Sequence, residues 1–304
     1  MKIRVKTLLG GLATFLLPPL AEVMGRRNYP RVGADYYYRV WLSHVCMADH
    51  FGCWEAPETV LEIGPGNSLG VGLAALLTGV RQYLAYDRNA LLHPPTNPQL
   101  LTEIAQLYQR KADFAESGSG LLYTAFPHPL FSAERLACFL SPQWRQQLVD
   151  ALEHRNELIR YYNDPAAVAA RSVDYLFSHS VLEHVDDLAA MYASMWQWLK
   201  PGGLMTHSID FSSHGSSNHW NGHWTVPDWL WRLMKGKRRY FLNRVPLAQH
   251  QALLARQGFE LKGVHSLTRA SLLTRADLAP RFRDLPEADL TTSSAFLVAR
   301  KPLS

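Results

Sequence analysis

Residues 59–70 read TVLEIGPGNSLG and decide the fold class of this 304-residue chain. Apolar side chains of a predicted strand lead into a glycine-rich turn, and small and apolar residues predict a helix over residues 71–77. A second predicted strand, residues 82–86, ends at Asp87. In open parallel α/β sheets, ligands bind beyond the carboxyl ends of the strands, where glycine lets the backbone approach closely. The order predicts a doubly wound sheet that binds a nucleotide-like cofactor.

The turn narrows the choice of cofactor. A dinucleotide fingerprint requires a third glycine where this chain has Leu69, and a P-loop requires a Gly-Lys-Ser or Gly-Lys-Thr ending, which residues 59–70 lack. Glu62 precedes Gly64 by two positions, and its carboxylate would repel a pyrophosphate but attract an amino group. Asp87, about twenty residues further along, is placed to bind both hydroxyls of a ribose. The pattern favours a nucleoside that carries a cationic amino acid.

Three further segments follow in sequence order: residues 173–185 read VDYLFSHSVLEHV, residues 199–205 read LKPGGLM and residues 253–261 read LLARQGFEL. Together with the stretch EIGPG at residues 62–66, they resemble the motifs of class I S-adenosylmethionine-dependent methyltransferases with a type 11-like methyltransferase domain. The usual third glycine of the first motif falls on Ser68, a small residue. The resemblance covers most of residues 55–301.

The resemblance implies an α/β fold, with a doubly wound, seven-stranded and mostly parallel sheet, helical insertions, and S-adenosyl-L-methionine as the cofactor. It also implies that the acidic residue and the Gly-x-Gly turn face the amino acid part of that cofactor. Asp164 follows the third predicted strand, where a polar side chain can hydrogen-bond the adenine amino group. The cofactor-binding residues predicted in this way are Glu62, Gly64, Pro65, Gly66, Asn67, Asp87, Arg88, Asp164 and Ser178.

The chain divides into an N-terminal apolar and helical segment, residues 1–54, and a methyltransferase-like domain, residues 55–304, with insertions at about 90–153 and 210–246. A hydrophobic content of 47% is enough for a substantial core. Three cysteines, none in a Cys-x-x-Cys pair, favour reduced thiols in a cytoplasmic protein over a disulfide framework. The net charge of +5 is modest, so local clusters of charge are more informative.

The N-terminal segment allows three interpretations. Lys2, Arg4 and Lys6 precede an apolar run over residues 8–20, which two prolines interrupt. The run is too short for a bilayer span, which needs about twenty apolar residues. A cleaved secretory signal has this outline, but export would separate an enzyme from its cytosolic cofactor. A contact with the inner surface of the membrane and a helix that packs on the domain are the other two interpretations.

Two histidines near the end of the fourth predicted strand are candidates for acid–base chemistry. Methyl transfer depends mainly on alignment of the two reactants, and it needs a base only where the acceptor must lose a proton. His179 follows the strand directly, and histidine titrates near neutrality. His179 is therefore predicted as a catalytic base, with ordering of the turn as the alternative. His184, in a segment that recurs in the family, is interpreted as structural.

Residues 205–224, at and after the end of the fifth predicted strand, are dense in histidine and tryptophan and include one aspartate, Asp210. Tryptophan faces and polar side chains together are typical of a carbohydrate site. A divalent metal held by Asp210 with His214, His219 or His223 is an alternative, and a loop that anchors its aromatics on the core is another. No spacing of metal ligands is evident, so we predict no metal. We predict that Asp210 and His214 act in catalysis by contacting the acceptor.

Residues 229–241, WLWRLMKGKRRYF, interleave basic and aromatic side chains. Such a stretch suits an anionic membrane surface or a phosphate-bearing substrate. No nucleic acid partner is expected, because no RNA- or DNA-binding module accompanies it. A solvated basic helix with an apolar inner face is the structural alternative.

These observations predict an S-adenosylmethionine-dependent methyltransferase that acts on a small or lipid-linked acceptor, such as a sugar hydroxyl of a saccharide or glycolipid. The predicted location is the cytoplasm, with contact at the inner face of the membrane as an option. Two other classes stay open: a non-catalytic protein of this fold associated with glycan assembly, and an NAD(P)-dependent oxidoreductase. Glu62 and Leu69 argue against the oxidoreductase, for the electrostatic and spacing reasons given above.

Overall fold

The computed structural model of this protein describes residues 4–26, 32–89, 98–114, 123–154 and 156–303. Lys2 and two parts of the first predicted insertion, residues 90–97 and 115–122, lie outside these ranges. The bounds given below refer to the described residues.

Seven strands form a single mixed sheet in the order β3-β2-β1-β4-β5-β7-β6. Neighbours from β3 to β5 are parallel, and β7 is antiparallel to both β5 and β6. The predicted seven-stranded, mostly parallel, doubly wound sheet is therefore confirmed. The strands are β1 (Thr59–Ile63), β2 (Gln82–Tyr86), β3 (Ile159–Tyr162), β4 (Val173–His179), β5 (Leu199–Asp210), β6 (Glu260–Thr268) and β7 (Thr292–Arg300).

Helices cover both faces of the sheet. α3, α4 and α5 belong to the apolar cluster on one face, and α8 and α10 belong to the cluster on the other. The helices are α1 (Val5–Leu16), α2 (Pro19–Arg26), α3 (Ala34–His50), α4 (Gly70–Leu76), α5 (Pro98–Gln109), α6 (Ala133–Phe139), α7 (Pro142–His154), α8 (Leu188–Trp198), α9 (Asp228–Lys235), α10 (Leu247–Gln257) and α11 (Glu287–Thr291).

The strand sequences explain the two apolar layers. Val60 and Tyr83 join the cluster under α3 and α4, whereas Leu61 and Leu84, one position further on, join the cluster under α8 and α10. Successive side chains of a strand point to opposite faces of the sheet. Because both faces are covered by helices, residues 60–63 of β1 and 83–86 of β2 are apolar except for Glu62. That exception lies at the end of β1 where the site begins.

A side-chain cap sets the start of α8. The helix begins at Leu188, because the Asp187 side chain caps it by accepting a hydrogen bond from the Ala190 amide at 2.9 Å. Asp186 lies outside the helix and forms an ion pair with Lys235. Both aspartates therefore flank the helix instead of occupying it.

α1 packs against α9 of the second predicted insertion. A Cβ on Gly11 would lie 2.1 Å from the Leu233 carbonyl oxygen, so only glycine allows the two helices to approach this closely. The Thr14 hydroxyl accepts a hydrogen bond from the Lys237 amide at 2.9 Å. Across the described ranges, no helix combines the length and the apolar character that crossing a bilayer requires.

Candidate active site

A cleft of about 1060 Å³ opens at the carboxyl ends of β1 to β4. The turns after these strands form its floor, two tyrosines of α3 form one wall, and loops that follow β5 and α9 form the other. The predicted site residues that line it are Gly64, Pro65, Gly66, Asn67, Asp87, Arg88, Asp164, His179 and His214. Tyr36, Tyr37, Asn163, His184, Arg239 and Tyr240 line it as well and were not in the predicted set.

The turn after β1 is shaped by two glycines in the left-handed backbone region. φ is +70° at Gly64 and +67° at Gly66, which favours glycine over residues with a Cβ. A Cβ on Gly64 would also lie 2.6 Å from Cγ2 of Val181. The Gly64 amide donates a hydrogen bond to the Tyr86 carbonyl at 2.8 Å. The turn is thereby fixed against β2 on one side and against the segment after β4 on the other.

Glu62 lies just behind this turn. Its side chain is buried, and it accepts a hydrogen bond from the Tyr83 hydroxyl on β2. Burial raises the pKa of Glu62 to about 8; the Tyr83 hydrogen bond opposes the rise and the nearby Asp87 charge adds to it. A cation in the cleft would favour the ionised form. Glu62 is therefore placed to act on a ligand through its charge, from beneath the turn.

Asp87 joins the tip of β2 to the glycine turn. Its carboxylate accepts hydrogen bonds from the Asn89 amide, at 2.8 Å, and from the Gly66 amide. Burial raises the pKa of Asp87 to about 6, although these two amides oppose the rise. The Asn163 side chain donates to the Asp87 carbonyl at 2.8 Å. Asp87 is thus a buried acceptor whose position is set by three neighbours.

Asp164, Arg88 and Ser178 occupy different environments. Asp164 and Arg88 are exposed at the cleft, and the Asp164 side chain accepts a hydrogen bond from the Ala166 amide at 3.0 Å. The Ser178 side chain, in contrast, is buried within the sheet, where its hydroxyl lies 2.8 Å from Nδ1 of His207. The cleft next to Ser178 is lined by the residues that follow it.

His179 ends β4 and faces the cleft. Its Nδ1 lies 3.3 Å from Nε2 of His44 on α3, and Nδ1 of His44 lies 2.7 Å from the Thr206 hydroxyl on β5. Burial, together with the charge of Arg39, lowers the pKa of His179 to about 4. The expected titration near neutrality is therefore absent. The neutral ring can accept a hydrogen bond but holds a proton weakly.

Asp210 and His214 form a pair at the end of β5. Nε2 of His214 lies 2.9 Å from the Asp210 carboxylate, which also accepts a hydrogen bond from the Ser212 amide at 2.7 Å. Burial raises the pKa of Asp210, but the hydrogen bonds and charge of His214 and the Ser212 hydrogen bonds outweigh it, and the pKa lies below its ordinary value. An ionised aspartate thus orients His214, whose backbone is left-handed at φ +44°.

Glu183 and His184 lie in a short 3-10 helix after β4, beside the Asp210–His214 pair. The Asn243 side chain holds this turn by donating to the carbonyls of Leu182 and Val185, at 2.7 and 2.9 Å. The rings of His184 and His214 have centroids 5.1 Å apart. Glu183 was not a predicted site residue. The acid–histidine pair in the segment LEHV was the signal available in the sequence.

The fold and the site define a class of protein: a doubly wound α/β protein with a cofactor cleft at the carboxyl ends of its parallel strands. A family model described as a methyltransferase domain matches residues 49–262. The chain belongs to this methyltransferase family, and the predicted class I S-adenosylmethionine-dependent methyltransferase domain is confirmed. No curated protein matches the chain.

Solved structures similar to this chain include phosphoethanolamine N-methyltransferase 2 of Haemonchus contortus, in a complex with S-adenosyl-L-methionine. The identity is 16% and the TM-score is 0.44; the similarity covers 86% of this chain and 53% of that one, so the chain spans about half of the worm enzyme's length. An S-adenosylmethionine-dependent methyltransferase from Mesorhizobium loti is 15% identical over 80% of this chain and 90% of its own, with a TM-score of 0.39.

Proposed function

We propose that this protein transfers the methyl group of S-adenosylmethionine to an oxygen of a small or lipid-linked acceptor, such as a sugar hydroxyl. The observation that carries the proposal is the pair of buried carboxylates, Glu62 and Asp87, at the tips of neighbouring strands on either side of a Gly-x-Gly turn. Two acidic groups at this position favour a cationic nucleoside and disfavour a pyrophosphate. Family membership supports the same cofactor.

The residues present fit this cofactor. The Asp87 carboxylate, already oriented by two amides, accepts hydrogen bonds from the ribose hydroxyls. The backbone of the turn at Gly64 and Gly66, with Glu62 beneath it, receives the amino acid part. Asp164, at the rim after β3, contacts the adenine amino group. When bound, S-adenosylmethionine supplies an activated methyl group on a sulfonium sulfur.

The acceptor end of the cleft lies towards the end of β4 and the loop after β5. His179 and His214 both line it, from two neighbouring parallel strands. The lowered pKa of His179 suits an acceptor of hydrogen bonds that positions a hydroxyl. His214, oriented by Asp210 at 2.9 Å, is the better candidate to receive the proton that an acceptor hydroxyl loses.

A row of exposed apolar residues on α1 supports a lipid-linked acceptor. Val5, Leu9, Leu12 and Leu16 follow one another at spacings of four, three and four positions, which places them on one face of the helix. Leu9 is 59% exposed and Leu16 is 84% exposed. Contiguous apolar surface of this kind marks membrane or protein contacts. The opposite face of α1 packs on α9, so the apolar row belongs to a fixed helix.

The charge and the position of nearby residues both favour an anionic membrane surface as the partner that this apolar row contacts. One basic residue contacts α1: Lys237 lies over the Phe15 ring, with its Nζ 5.8 Å from the ring centroid. Arg232 on α9 and Arg239 after it are exposed. Thr7 of α1 and Arg239 line the cleft, so the helix and the cleft share a rim. We propose that the protein docks at the inner face of the membrane and takes its acceptor there.

Methyl transfer from labelled S-adenosylmethionine tests this proposal. Purified protein is incubated with the labelled donor and either the membrane fraction or the soluble extract of the source cells, and the labelled product is identified. A methylated oxygen on a membrane-extracted lipid or saccharide is the expected result. Binding of NAD in place of S-adenosylmethionine in a parallel titration would overturn the assignment of the cofactor. Label on a nitrogen or carbon acceptor would overturn the assignment of oxygen.

A further inference from the structure

One carboxylate and two imidazoles converge beside the cleft. Glu183, His184 and His214 each offer one ligand atom, and these three atoms lie within 4.8 Å of one another. Glu183 and His184 come from the 3-10 helix after β4, and His214 comes from the loop after β5. Parallel pairing of β4 with β5 brings the two segments together. His184 and His214 line the cleft, so the group borders the space where an acceptor would lie.

The Glu183 carboxyl group is buried with only weak compensation from the backbone. Its side chain is only 3% exposed, and neither oxygen has a partner at hydrogen-bond geometry in the part of the chain that the structure describes. The backbone amides of Glu183 and Asp210 approach the carboxyl group, but no side chain of the described residues donates a hydrogen bond to it. Buried polar groups in native proteins have partners almost without exception, and a bare carboxyl group is costly. A cation between Glu183 and the histidines would supply the partner.

His184 is oriented as a metal ligand would be. The Tyr240 backbone carbonyl accepts a hydrogen bond from its ring, whereas Nδ1 has no partner among the described residues. With one ring nitrogen held by that carbonyl, Nδ1 is the nitrogen left to face an ion. A neutral imidazole that donates its other N–H to a carbonyl is the usual form of a histidine that binds a metal.

His214 has the complementary arrangement with a carboxylate. The hydrogen bond between its Nε2 and Asp210, at 2.9 Å, fixes the orientation of the ring. Carboxylate–histidine–metal arrays of this kind raise the basicity of the ligand nitrogen. The three ligand atoms lie within 4.8 Å of one another. A tetrahedral ion with metal–ligand bonds near 2.1 Å would draw them to a separation of roughly 3.4 Å.

We propose that Glu183, His184 and His214 bind a divalent transition-metal ion, Zn²⁺ or Mn²⁺, with Asp210 as the carboxylate that orients His214. Two imidazoles and one carboxylate suit such ions, whereas Mg²⁺ prefers oxygen ligands. Three protein ligands leave at least one coordination position open, and the cleft is on that side. The prediction from sequence that no metal is bound rested on the spacing of residues after β5 alone. The structure adds Glu183 and His184 from a different segment.

The open position gives the site a role in substrate recognition, a step that rests on the proposed methyl transfer. An oxygen of the acceptor, a hydroxyl or a phosphate, would complete the coordination of the ion. A bound divalent ion lowers the pKa of a hydroxyl that it binds. With the ion in place, His214 would act as a ligand, and the proton released by the metal-bound acceptor hydroxyl would pass to water in the open cleft instead of to the free imidazole.

Calorimetric titration of the full chain, freed of metal with a chelator, tests the site. ZnCl₂ and MnCl₂ should each bind at one site per chain, and MgCl₂ should bind more weakly. Glu183→Gln and His214→Ala should each weaken Zn²⁺ binding by about 10- to 100-fold. His219→Ala is the matched control, because His219 belongs to the same loop but not to the group, and its Zn²⁺ affinity should equal that of the parent chain. Thermal unfolding establishes that each variant is folded before titration.

Two outcomes overturn the proposal: absence of Zn²⁺ and Mn²⁺ binding by the folded parent chain, or affinity that is unchanged in folded Glu183→Gln and His214→Ala variants. Titration with S-adenosylmethionine, with and without Zn²⁺, separates this proposal from the proposed function. A chain that binds Zn²⁺ but not the cofactor keeps the metal site and loses the methyl-transfer role. A chain that binds the cofactor but no metal keeps His214 as the base and loses the metal site.

Discussion

The Tyr83 hydroxyl on β2 donates a hydrogen bond to the Glu62 carboxylate on β1, directly beneath the glycine turn of the cleft. This pair places an ionisable group inside the sheet at the position where the cofactor's amino acid part is proposed to lie. The unliganded fold favours the protonated Glu62 carboxyl group, whereas a cationic ligand in the cleft would favour the carboxylate. Binding of such a ligand is therefore coupled to the loss of this proton. The first four predictions concern Glu62, Asp87 and the turn between them.

The buried carboxyl groups of Glu62 and Asp87 should contribute a component of stability that the unliganded protein loses as the pH rises. Buried histidines such as His179, whose pKa is lowered to about 4, contribute in the opposite direction below neutrality. Burial raises the pKa of Glu62 from 4.5 to about 8 and that of Asp87 from 3.8 to about 6. The folded chain therefore holds protons that the unfolded chain has released, and the stabilisation is full below pH 4 and falls until about pH 8. The loss from Glu62 is on the order of a few kcal/mol. Unfolding in urea at several pH values measures it. Glu62→Gln, which stays neutral, should lack this component, so the stability of the parent relative to the variant should fall between about pH 5 and pH 8; an equal slope in parent and variant would contradict the assignment.

Asp87→Ala should weaken binding of S-adenosylmethionine. Loss of a charged double hydrogen bond to the ribose costs about 1.5–3 kcal/mol, or roughly a 10- to 150-fold rise in Kd. Calorimetry with the cofactor measures this change. Asp150→Ala on α7, an exposed aspartate whose partner is Gln146, serves as the control and should leave Kd unchanged. Unchanged affinity in Asp87→Ala would remove Asp87 from the site.

Affinity for the cofactor should fall as the pH is lowered through about 6. Only the ionised Asp87 carboxylate can accept from both ribose hydroxyls, and its folded pKa is about 6. Protonation therefore competes with binding, and Kd should increase below that pH. A series of titrations between pH 5 and pH 8 measures the dependence. In Asp87→Ala the component centred near pH 6 should disappear; its persistence would assign it to another group.

Gly64→Ala should destabilise the fold more than Gly52→Ala does. Both glycines have positive φ, +70° and +64°, so both substitutions carry backbone strain of about 1–2 kcal/mol. At Gly64 the new methyl group would also lie 2.6 Å from Val181, whereas nothing lies within 4 Å of a Cβ on Gly52. Overpacking adds about 1–3 kcal/mol. Urea unfolding of the two variants gives the difference, and equal losses would show that Val181 moves aside freely.

Leu9→Ser and Leu16→Ser should reduce binding to anionic vesicles. Both leucines belong to the exposed row of α1, and removing apolar area from the bilayer contact weakens it by on the order of 1 kcal/mol each. Co-sedimentation with vesicles that contain phosphatidylserine measures the bound fraction. Leu272→Ser is the matched control, since Leu272 is also 80% exposed but lies away from α1 in sequence. An equal loss of binding in Leu272→Ser would show that the effect is unspecific.

Features set by nearby residues were predicted well from the sequence. The strand Gln82–Tyr86 has the predicted bounds, because the apolar character of its residues determines it locally. The turn at Gly64 and Gly66, and the carboxylate at Asp87, likewise line one cleft as the motif implied.

Features set by distant residues could not be predicted. The low pKa of His179 depends on burial beneath α3 and on Arg39, and the direction of the Ser178 side chain depends on His207 in β5. Glu183 and His214 are thirty-one positions apart in the sequence, and only the pairing of β4 with β5 makes them neighbours. The spacing of residues within one segment does not show which side chains of distant segments become neighbours in the fold.

The position of β7 has a consequence for synthesis of the chain. β7 lies between β5 and β6 and is the partner of both, yet its residues are translated after those of both partners. Until residues 292–300 leave the ribosome, β5 keeps an open edge and β6 has no strand to join. The strands from β3 to β5, which carry the cofactor cleft, can assemble on the nascent chain. β6 can join the sheet only after β7 has paired with β5.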